Sequence, residues 1–342
     1  MAITAGLDVG GAHLKVALVE DGRPIAAEQI VCPLWLGLDR LDAALEAAKP
    51  LTRLASRIAV TMTGELSDLF PDRRTGVETL VERLTAALGP ATLFWMGRDA
   101  FGSDSVARAN AASVGSTNFL ATAEAVAHLI PDALVIDMGS TTTDIVPIKG
   151  GRPVPAGLTD GERLASGELV YTGLSRTPVM GVAMRAPFKG REQRLAREQF
   201  ATMADVRRIL SQLPEEVDQY GPPDGRGKTL VESMARLARM FGRDAIEGTP
   251  DDWQRSARAI AEAQLASIEE GARQVLARSD LPATAPLIAA GIGHRVIGEL
   301  ADGIGRNFQT FGQLTGVLGA VKHAVTHCAP AVAVALLAED KD

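Results

Sequence analysis

The chain has 342 residues, of which 46% are hydrophobic and 23% are charged, and its net charge is −7. This apolar content excludes a disordered chain. The acidic balance argues against a general nucleic-acid binder, which would carry an excess of Lys and Arg. The length predicts roughly two domains or one duplicated fold. We therefore expect a globular α/β protein that does not bind nucleic acid.

The amino-terminal region has the alternation and the turn residues of an antiparallel meander. Strands are predicted over 3–9, 13–20 and 25–31. From Leu38 the apolar period becomes helical, and Pro50 is expected to end that helix. The next predicted elements, in chain order, are a strand over 57–62, a helix over 77–88, a strand over 92–96 and a helix over 118–129.

The same order of strands and turns begins a second time near residue 133. A strand is predicted over 133–137, a returning strand follows over 143–148, and another glycine-rich turn leads to a third strand. Two related half-domains are the economical explanation of this repeat. The predicted boundaries are 1–130 for the first half-domain, and 131–185 together with 280–342 for the second.

Residues 186–279 differ from the rest, because they are rich in Arg, Glu and Gln and have a mostly helical period. We predict a helical insertion, or lid, with helices over 191–200, 205–213, 230–241 and 253–277. The α/β pattern then returns with a strand over 286–290 and a helix from His294. The apolar run 331–338 predicts a buried terminal element.

No apolar run approaches the roughly 18 residues of a membrane span. The amino terminus has no basic flank of the kind that precedes a signal peptide. Cys32 and Cys328 are far apart, which indicates neither a disulfide framework nor a Cys-based zinc site. These features predict a cytoplasmic protein without a membrane partner.

Two segments, 7–15 and 136–144, place an Asp at a strand end and follow it with a turn of small residues. Glycine lets a backbone come close to a ligand, and exposed N–H groups bind anions. Alone, either segment is equally typical of an ordinary hairpin turn. Together they predict a phosphate cradle, with Asp8 and Asp137 as ligands of Mg²⁺ and Lys15 as a compensating charge. The turn residues expected to bind phosphate are Gly10, Gly11, His13, Gly139, Ser140, Thr141 and Thr142.

These two loops, with a late Gly-x-Gly turn at 291–293, resemble the actin, sugar-kinase and Hsp70 superfamily. The resemblance implies an α/β fold with duplicated actin-like (ribonuclease H-like) half-domains. More narrowly, the chain resembles the hydantoinase/oxoprolinase-like branch that is linked to tetrahydromethanopterin-dependent C1 transfer. The segments that carry this narrower resemblance are 61–66, 159–164, 167–173, 175–179, 200–206 and 236–240.

The narrower resemblance implies a role in making methanofuran or methylofuran. In that reaction an aminomethylfuran-methyl diphosphate is joined to γ-glutamyltyramine: the phenol oxygen displaces pyrophosphate and an aryl ether forms. Mg²⁺ is the expected metal and the partners are these small molecules, while a homo-oligomer is left open. Displacement of pyrophosphate needs a cation and N–H donors, which the loops at Asp8 and Asp137 can supply.

The phenol needs a base or a nearby cation, since its ordinary pKa is about 10. His13, Glu65 and Asp144 are the candidates, and the sequence does not rank them. Arg163 and Arg176 are expected to bind diphosphate or the glutamyl carboxylate, although a structural ion pair explains either equally well. The remaining residues expected on the substrate side are Thr63, Gly64 and Glu168.

The turn with Gly291 and Gly293 is a possible binding site for a phosphate or a nucleotide. A close turn from a strand to a helix, without a ligand, explains the two glycines equally well. Nucleotide-binding members of the superfamily usually have a denser glycine run there, which argues against adenosine binding by this chain. The alternative function is an ATP-dependent small-molecule kinase or a hydantoinase/oxoprolinase-like hydrolase, with ATP as its cofactor. A third is a non-catalytic binding protein, because the fold by itself does not select an activity.

Overall fold

The computed structural model describes residues 2–98 and 100–339. The strands of its first part are β1 (Ile3–Val9), β2 (His13–Glu20), β3 (Arg23–Val31), β4 (Arg57–Met62), β5 (Leu93–Trp95) and β6 (Phe101–Gly102). The helices of this part are α1 (Leu38–Thr52), α2 (Arg73–Leu88), α3 (Asp104–Ala109), α4 (Ala111–Val114) and α5 (Asn118–Ala127). The bounds of β1, β2 and β4 agree with the prediction.

The second part continues with β7 (Ala133–Met138), β8 (Thr143–Lys149), β9 (Arg152–Pro153), α6 (Asp160–Ser166) and β10 (Leu169–Val170). The insertion contains β11 (Arg185–Phe188), β12 (Arg191–Arg194), α7 (Met203–Ile209), α8 (Leu230–Met240) and α9 (Pro250–Ser279). The last elements are β13 (Leu287–Ala290), α10 (His294–Gly303), β14 (Phe308–Thr310), α11 (Phe311–Leu314), α12 (Val321–His327) and α13 (Ala329–Glu339).

Two mixed sheets have the same topology. The first has the order β3-β2-β1-β4-β5-β6, and the second has the order β10-β8-β7-β13-β14. In each sheet the central strand has an antiparallel neighbour on one side and a parallel neighbour on the other. The predicted α/β fold with a duplicated half is therefore confirmed.

The duplication extends to single residues. Asp8 pairs with Lys15 across β1 and β2, and Asp137 pairs with Asp144 across β7 and β8. In the turns that follow, the Gly10 N–H donates to the His13 carbonyl and the Gly139 N–H donates to the Thr142 carbonyl, each at 2.9 Å. Both turns therefore have the same backbone shape, which places their side chains equivalently at the carboxyl ends of β1 and β7.

Helix α13 packs against β1, β2, β4 and α5, although it follows the second sheet in the chain. A Cβ at Gly6 would collide with the backbone of Ala331, so the helix lies directly on β1. The buried terminal element predicted over 331–338 is thus this helix, and it ties the end of the chain to the first sheet. The predicted domain boundaries remain a prediction, and residues 340–342 lie outside the described chain.

Three local predictions are wrong. Pro50 lies inside α1, which runs to Thr52, because a proline in the last turn removes only one intrahelical hydrogen bond. The helix predicted over 191–200 is absent. Instead β11 and β12 form a hairpin whose turn residues, Lys189 and Gly190, both have positive φ angles. The third strand of the second meander is reduced to β9, which covers only the end of β8.

The insertion has its own core, in which Trp253 stacks on Phe188 with 4.7 Å between the ring centroids. Helix α9 begins at a capping box between Thr249 and Asp252. It packs on β11 and also contacts β8 and β10 of the second sheet. This long helix therefore fixes the insertion to the second sheet, on one side of the space between the two sheets.

Over residues 2–98 and 100–339, no single helix is long and apolar enough to cross a membrane. The bent pair α12 and α13, which has an angle of 92° at its break, meets that test by length and composition alone.

Candidate active site between the two sheets

A cavity of about 460 Å³ lies where the two glycine turns face each other. Its walls come from both sheets and from the loops that follow β4 and β10. The predicted site residues that line it are Asp8, Gly10, Gly11, His13, Lys15, Thr63, Asp137, Gly139, Ser140, Thr141, Thr142, Asp144, Arg163 and Arg176. The structure thus brings both motifs into one site.

Gly64, Glu168, Gly291 and Gly293 do not line this cavity. The Glu168 carboxylate is fully buried, accepts from the Ala156 N–H at 2.7 Å and pairs with an Arg278 nitrogen at 2.6 Å. It therefore holds a loop in place away from the cavity. A Cβ at Gly64 would come within 2.9 Å of Leu34, so Gly64 serves close packing.

The Gly-x-Gly turn supports Asp137 from behind. Gly291 has a φ of +77°, and a Cβ there would collide with the Asp137 carboxylate and with the backbone of Met138. The Gly293 N–H donates to the Met138 carbonyl at 2.9 Å. The two glycines thus let the turn approach the end of β7 closely, and Ile292 between them is the residue that reaches the cavity.

Part of the cavity wall is a buried charge cluster of Asp8, Lys15 and Asp137, here called the charged end. Lys15 Nζ lies 3.3 Å from Asp8 Oδ2. Burial raises the pKa of Asp8, and it raises the pKa of Asp137 to about 7, although Lys15 opposes both shifts. Burial by itself would lower the pKa of Lys15, but Asp8 and Asp137 outweigh it and raise that pKa. Lys15 therefore stays charged and favours anions at this point.

Within the described part of the chain, Asp8 has an unpartnered carboxylate oxygen that makes the charge cluster suitable for binding Mg²⁺. Asp8 Oδ1 is buried and has no hydrogen-bond partner among the described residues. Mg²⁺ is usually held by one or two carboxylates and completes its coordination with water and substrate phosphates. Asp8 and Asp137 fit that role, and the described residues contain no group of three or more His, Cys, Asp or Glu side chains placed to hold a metal alone. Phosphate oxygens would have to complete the site.

The two predicted arginines differ in environment. An Arg163 nitrogen lies 2.6 Å from Asp144, and its guanidinium stacks 3.5 Å from the Phe119 ring centroid. Arg163 is buried, and the Asp144 carboxylate already compensates its charge. Arg176 has no carboxylate partner among the described residues, and its guanidinium lies 4.6 Å from the Trp35 ring centroid. Arg176 is therefore the arginine that can receive an anionic ligand.

Aromatic side chains form another part of the cavity wall, here called the aromatic end, around Trp35. Tyr220, in the insertion, reaches across to the first sheet, where its hydroxyl donates to the Ala12 carbonyl. Its ring lies 5.7 Å from that of Trp35 and 5.1 Å from that of His13. Trp35 and Tyr171 line the cavity, whereas Tyr220 packs against two of its lining residues, Trp35 and His13. Sequence reasoning missed Trp35 and Tyr220.

His13 is neutral at this site. Burial lowers its pKa to about 3, and the charges of Lys15 and Arg176 act in the same direction. Its Nε2 has no partner among the described residues. A neutral imidazole with a free ring nitrogen can form a hydrogen bond to a ligand, but a pKa this low makes it a weak base.

Glu65 lies just behind the cavity wall. Ser116 does line the cavity, and its hydroxyl donates to Glu65 Oε1 at 2.6 Å. Sequence reasoning singled out Glu65 and missed Ser116, because the two are far apart in the chain. It also missed Asn118, which lines the cavity and lowers the pKa of Asp8 against the larger effect of burial.

Solved structures show the fold. The nucleotide-free structure of acetone carboxylase matches with a TM-score of 0.62 and 11% identity, over 96% of this chain and 70% of that chain. Component A of (R)-2-hydroxyglutaryl-CoA dehydratase from Acidaminococcus fermentans matches with a TM-score of 0.50 and 12% identity, over the full length of both chains. The chain therefore has the actin-like α/β fold of these structures.

Sequence relatives are more specific. A protein of Methanocaldococcus jannaschii, named (4-{4-[2-(γ-L-glutamylamino)ethyl]phenoxymethyl}furan-2-yl)methanamine synthase, is 32% identical over 87% of this chain and 88% of its own length. A Methanococcus vannielii protein of the same name is 32% identical over 35% of this chain and 54% of its own. The hydantoinase/oxoprolinase family model matches residues 57–340. The chain belongs to the hydantoinase/oxoprolinase family.

Proposed function

We propose that the chain is a transferase of methanofuran or methylofuran biosynthesis, which supports tetrahydromethanopterin-linked C1 metabolism. It joins an aminomethylfuran-methyl diphosphate to γ-glutamyltyramine and releases pyrophosphate. The observation that carries this proposal is one cavity with two different ends. Asp8, Lys15 and Asp137 form a buried charged end, whereas Trp35 and Arg176 lie at an aromatic and cationic end. The name of the relatives describes a product in which a phenoxy group is bound to a furan-methyl carbon.

The charged end suits the leaving group. The bond between the furan-methyl carbon and the diphosphate oxygen breaks, and its electron pair leaves with pyrophosphate. Lys15 and free N–H groups of the two turns would stabilise that negative charge. The furan ring can share the positive charge that develops on carbon. Mg²⁺ held by Asp8 and Asp137 would add further positive charge at the leaving oxygens.

The aromatic end suits the acceptor. γ-Glutamyltyramine carries a phenyl ring and a carboxylate, and Trp35 and Arg176 can contact both kinds of group. Arg176 also lies beside the second turn, where its backbone N–H donates to the Ser140 carbonyl at 2.8 Å. An acceptor bound there would lie in the same cavity as the diphosphate.

The test is an assay of pyrophosphate release with mass spectrometry of the products. The purified chain is mixed with Mg²⁺, the furan-methyl diphosphate and γ-glutamyltyramine, and a parallel sample receives ATP. We expect equal amounts of pyrophosphate and coupled ether without ATP. Pyrophosphate without ether would indicate simple hydrolysis. Consumption of ATP to ADP without ether would contradict the proposal and assign the chain to the kinase or hydrolase alternative.

A further inference from the structure

Ser116 is held in an unusual backbone conformation at the cavity wall. Its φ is +55°, in the left-handed region that non-glycine residues rarely adopt. It follows Gly115, which forms an isolated parallel bridge with Met62 at the end of β4. Strained backbone of this kind is often found at functional sites. Here it belongs to a residue of the cavity wall whose hydroxyl donates to Glu65.

Glu65 packs closely against Gly76 and Gly115, which have no side chains that would collide with it. It lies in the short turn Gly64–Leu66 after β4 and is 2% exposed. A Cβ at Gly76 would lie 2.8 Å from the Glu65 carbonyl oxygen, and a Cβ at Gly115 would lie 3.0 Å from Glu65 Oε1. Its other carboxyl oxygen, Oε2, is buried without a partner among the described residues. The carboxyl group therefore has an unused acceptor position and a single hydroxyl between it and the cavity.

The charges around Glu65 leave it able to take up a proton near neutral pH. Burial raises its pKa to about 7, and the Ser116 hydrogen bond only partly opposes this shift. The charged groups near it are Arg73 on α2 and Asp160 on α6, which form an ion pair with each other at 2.9 Å. A base with a pKa near the working pH is the most effective kind for proton transfer.

We propose that Ser116 and Glu65 form a proton relay that removes the proton from the acceptor hydroxyl. This inference rests on the proposed function. The phenol O–H bond breaks as the bond between the phenol oxygen and the furan-methyl carbon forms. The phenol proton moves to Ser116 Oγ while the Ser116 proton moves to Glu65 Oε1, and the diphosphate leaves with the electron pair of the broken C–O bond. Ser116 contacts the substrate, and Glu65 acts through it.

The other candidate bases are less suited to this role. Burial keeps the pKa of His13 at about 3, so it takes up a proton poorly at neutral pH. Asp144 is paired with Arg163. Asp8 and Asp137 face Lys15 at the diphosphate end of the cavity. Asp68 and Asp160 also line the cavity, but Asp160 is paired with Arg73 and Asp68 is exposed to solvent. Glu65 is the buried carboxylate that is linked to the cavity wall through the Ser116 hydroxyl.

The test measures kcat against pH for the wild-type chain and for E65Q and S116G, with S113A as the control. Glycine suits a positive φ, so S116G removes the hydroxyl without strain. Ser113 is an exposed serine of α4, outside the cavity. In the wild type at saturating Mg²⁺, which would keep Asp137 ionised, we expect kcat to rise as the pH increases through about 7, where Glu65 loses its proton. E65Q and S116G should lose that rise and about 10²–10⁴-fold in kcat.

An acceptor with a more acidic phenol distinguishes a proton relay from a purely structural role of Ser116 and Glu65. Ring-fluorinated γ-glutamyltyramine has a more acidic phenol, which needs less help from a base. E65Q and S116G should recover most of their rate with it, and melting curves check that both variants fold. Ether formation with an unchanged pH profile in both variants would overturn the relay alone. If the wild-type chain forms no ether with either acceptor, the proposed function fails and the relay fails with it.

Discussion

At the scale of single residues, the two arginines of the site show that the surroundings of a side chain determine whether it has a structural or a binding role. Both carry the same charge and both line the cavity. Arg163 is compensated by Asp144 and covered by Phe119, whereas Arg176 lies between aromatic rings without a carboxylate partner among the described residues. The first arginine therefore stabilises the second sheet, and the second is available to a ligand.

Replacing these arginines should separate stability from binding. R163A leaves the Asp144 carboxylate without its partner, and we expect the free energy of unfolding to fall by about 3 kcal/mol. R176A should change that free energy by less than about 1 kcal/mol and raise the KM for the acceptor by about 10- to 100-fold, because a hydrogen bond to a charged group is lost. Urea unfolding and steady-state kinetics measure the two effects. A stable R163A with a raised KM would contradict this assignment.

At the scale of elements, the loop of the insertion that contains Gln219 and Tyr220 is hydrogen-bonded to the first sheet. Besides the Tyr220 hydroxyl, the Gln219 side-chain amide donates to the Gln29 carbonyl at 2.9 Å, and the Gln29 amide donates to Gln219 Oε1 at 3.1 Å. Helix α9 anchors the same insertion to the second sheet. The insertion therefore contacts both of the sheets that form the cavity.

Removing the contacts of this loop with the first sheet should change the KM for the acceptor more than the KM for the diphosphate. In the double variant Q219A/Y220A, we expect faster hydrogen exchange over residues 218–229 and a KM for the acceptor that is about five- to tenfold higher, since an aromatic contact contributes about 0.5–1.5 kcal/mol. Y220F keeps the ring and should show a smaller change. I246A, at an exposed position elsewhere in the insertion, is the control. Equal effects on both KM values would contradict a local role at the aromatic end.

At the scale of the whole molecule, the duplication creates the site. Each sheet ends its central strand with an Asp and a turn of the same shape, and the two face each other across the cavity. The first sheet supplies Asp8 and the second supplies Asp137. Anion and metal binding should therefore depend on both halves at once.

Ligand-induced stabilisation tests this dependence. Mg²⁺ with pyrophosphate should raise the melting temperature of the wild-type chain, because binding at 100 times Kd contributes about 2.7 kcal/mol. D8N and D137N should each lose this shift, since each removes one carboxylate of the shared site. D302N, a change at an exposed position of α10, should keep it. Retention of the full shift in either D8N or D137N would show that one half is sufficient.

The sequence alone was enough to predict the α/β fold, most of the strands and the two Asp motifs of the cavity. Alternation, turn residues and an Asp followed by glycines act over a few neighbouring residues, so they can be recognised locally. The repeat then indicated that the two motifs belong together. Local signals also explain the errors: Pro50 was expected to end a helix, and the Lys189-Gly190 turn was hidden in a segment with a helical period.

The tertiary structure decided which side chains meet. Ser116 reaches Glu65 across 51 positions of the chain, and Tyr220 reaches Ala12 across 208. The packing of α13 on the first sheet and of Gly291 against Asp137 likewise joins distant segments. Such contacts are set by how sheets and helices pack, and the periodicity of a single segment carries no information about its distant partner. For the same reason, only the fold could distinguish Arg163 from Arg176.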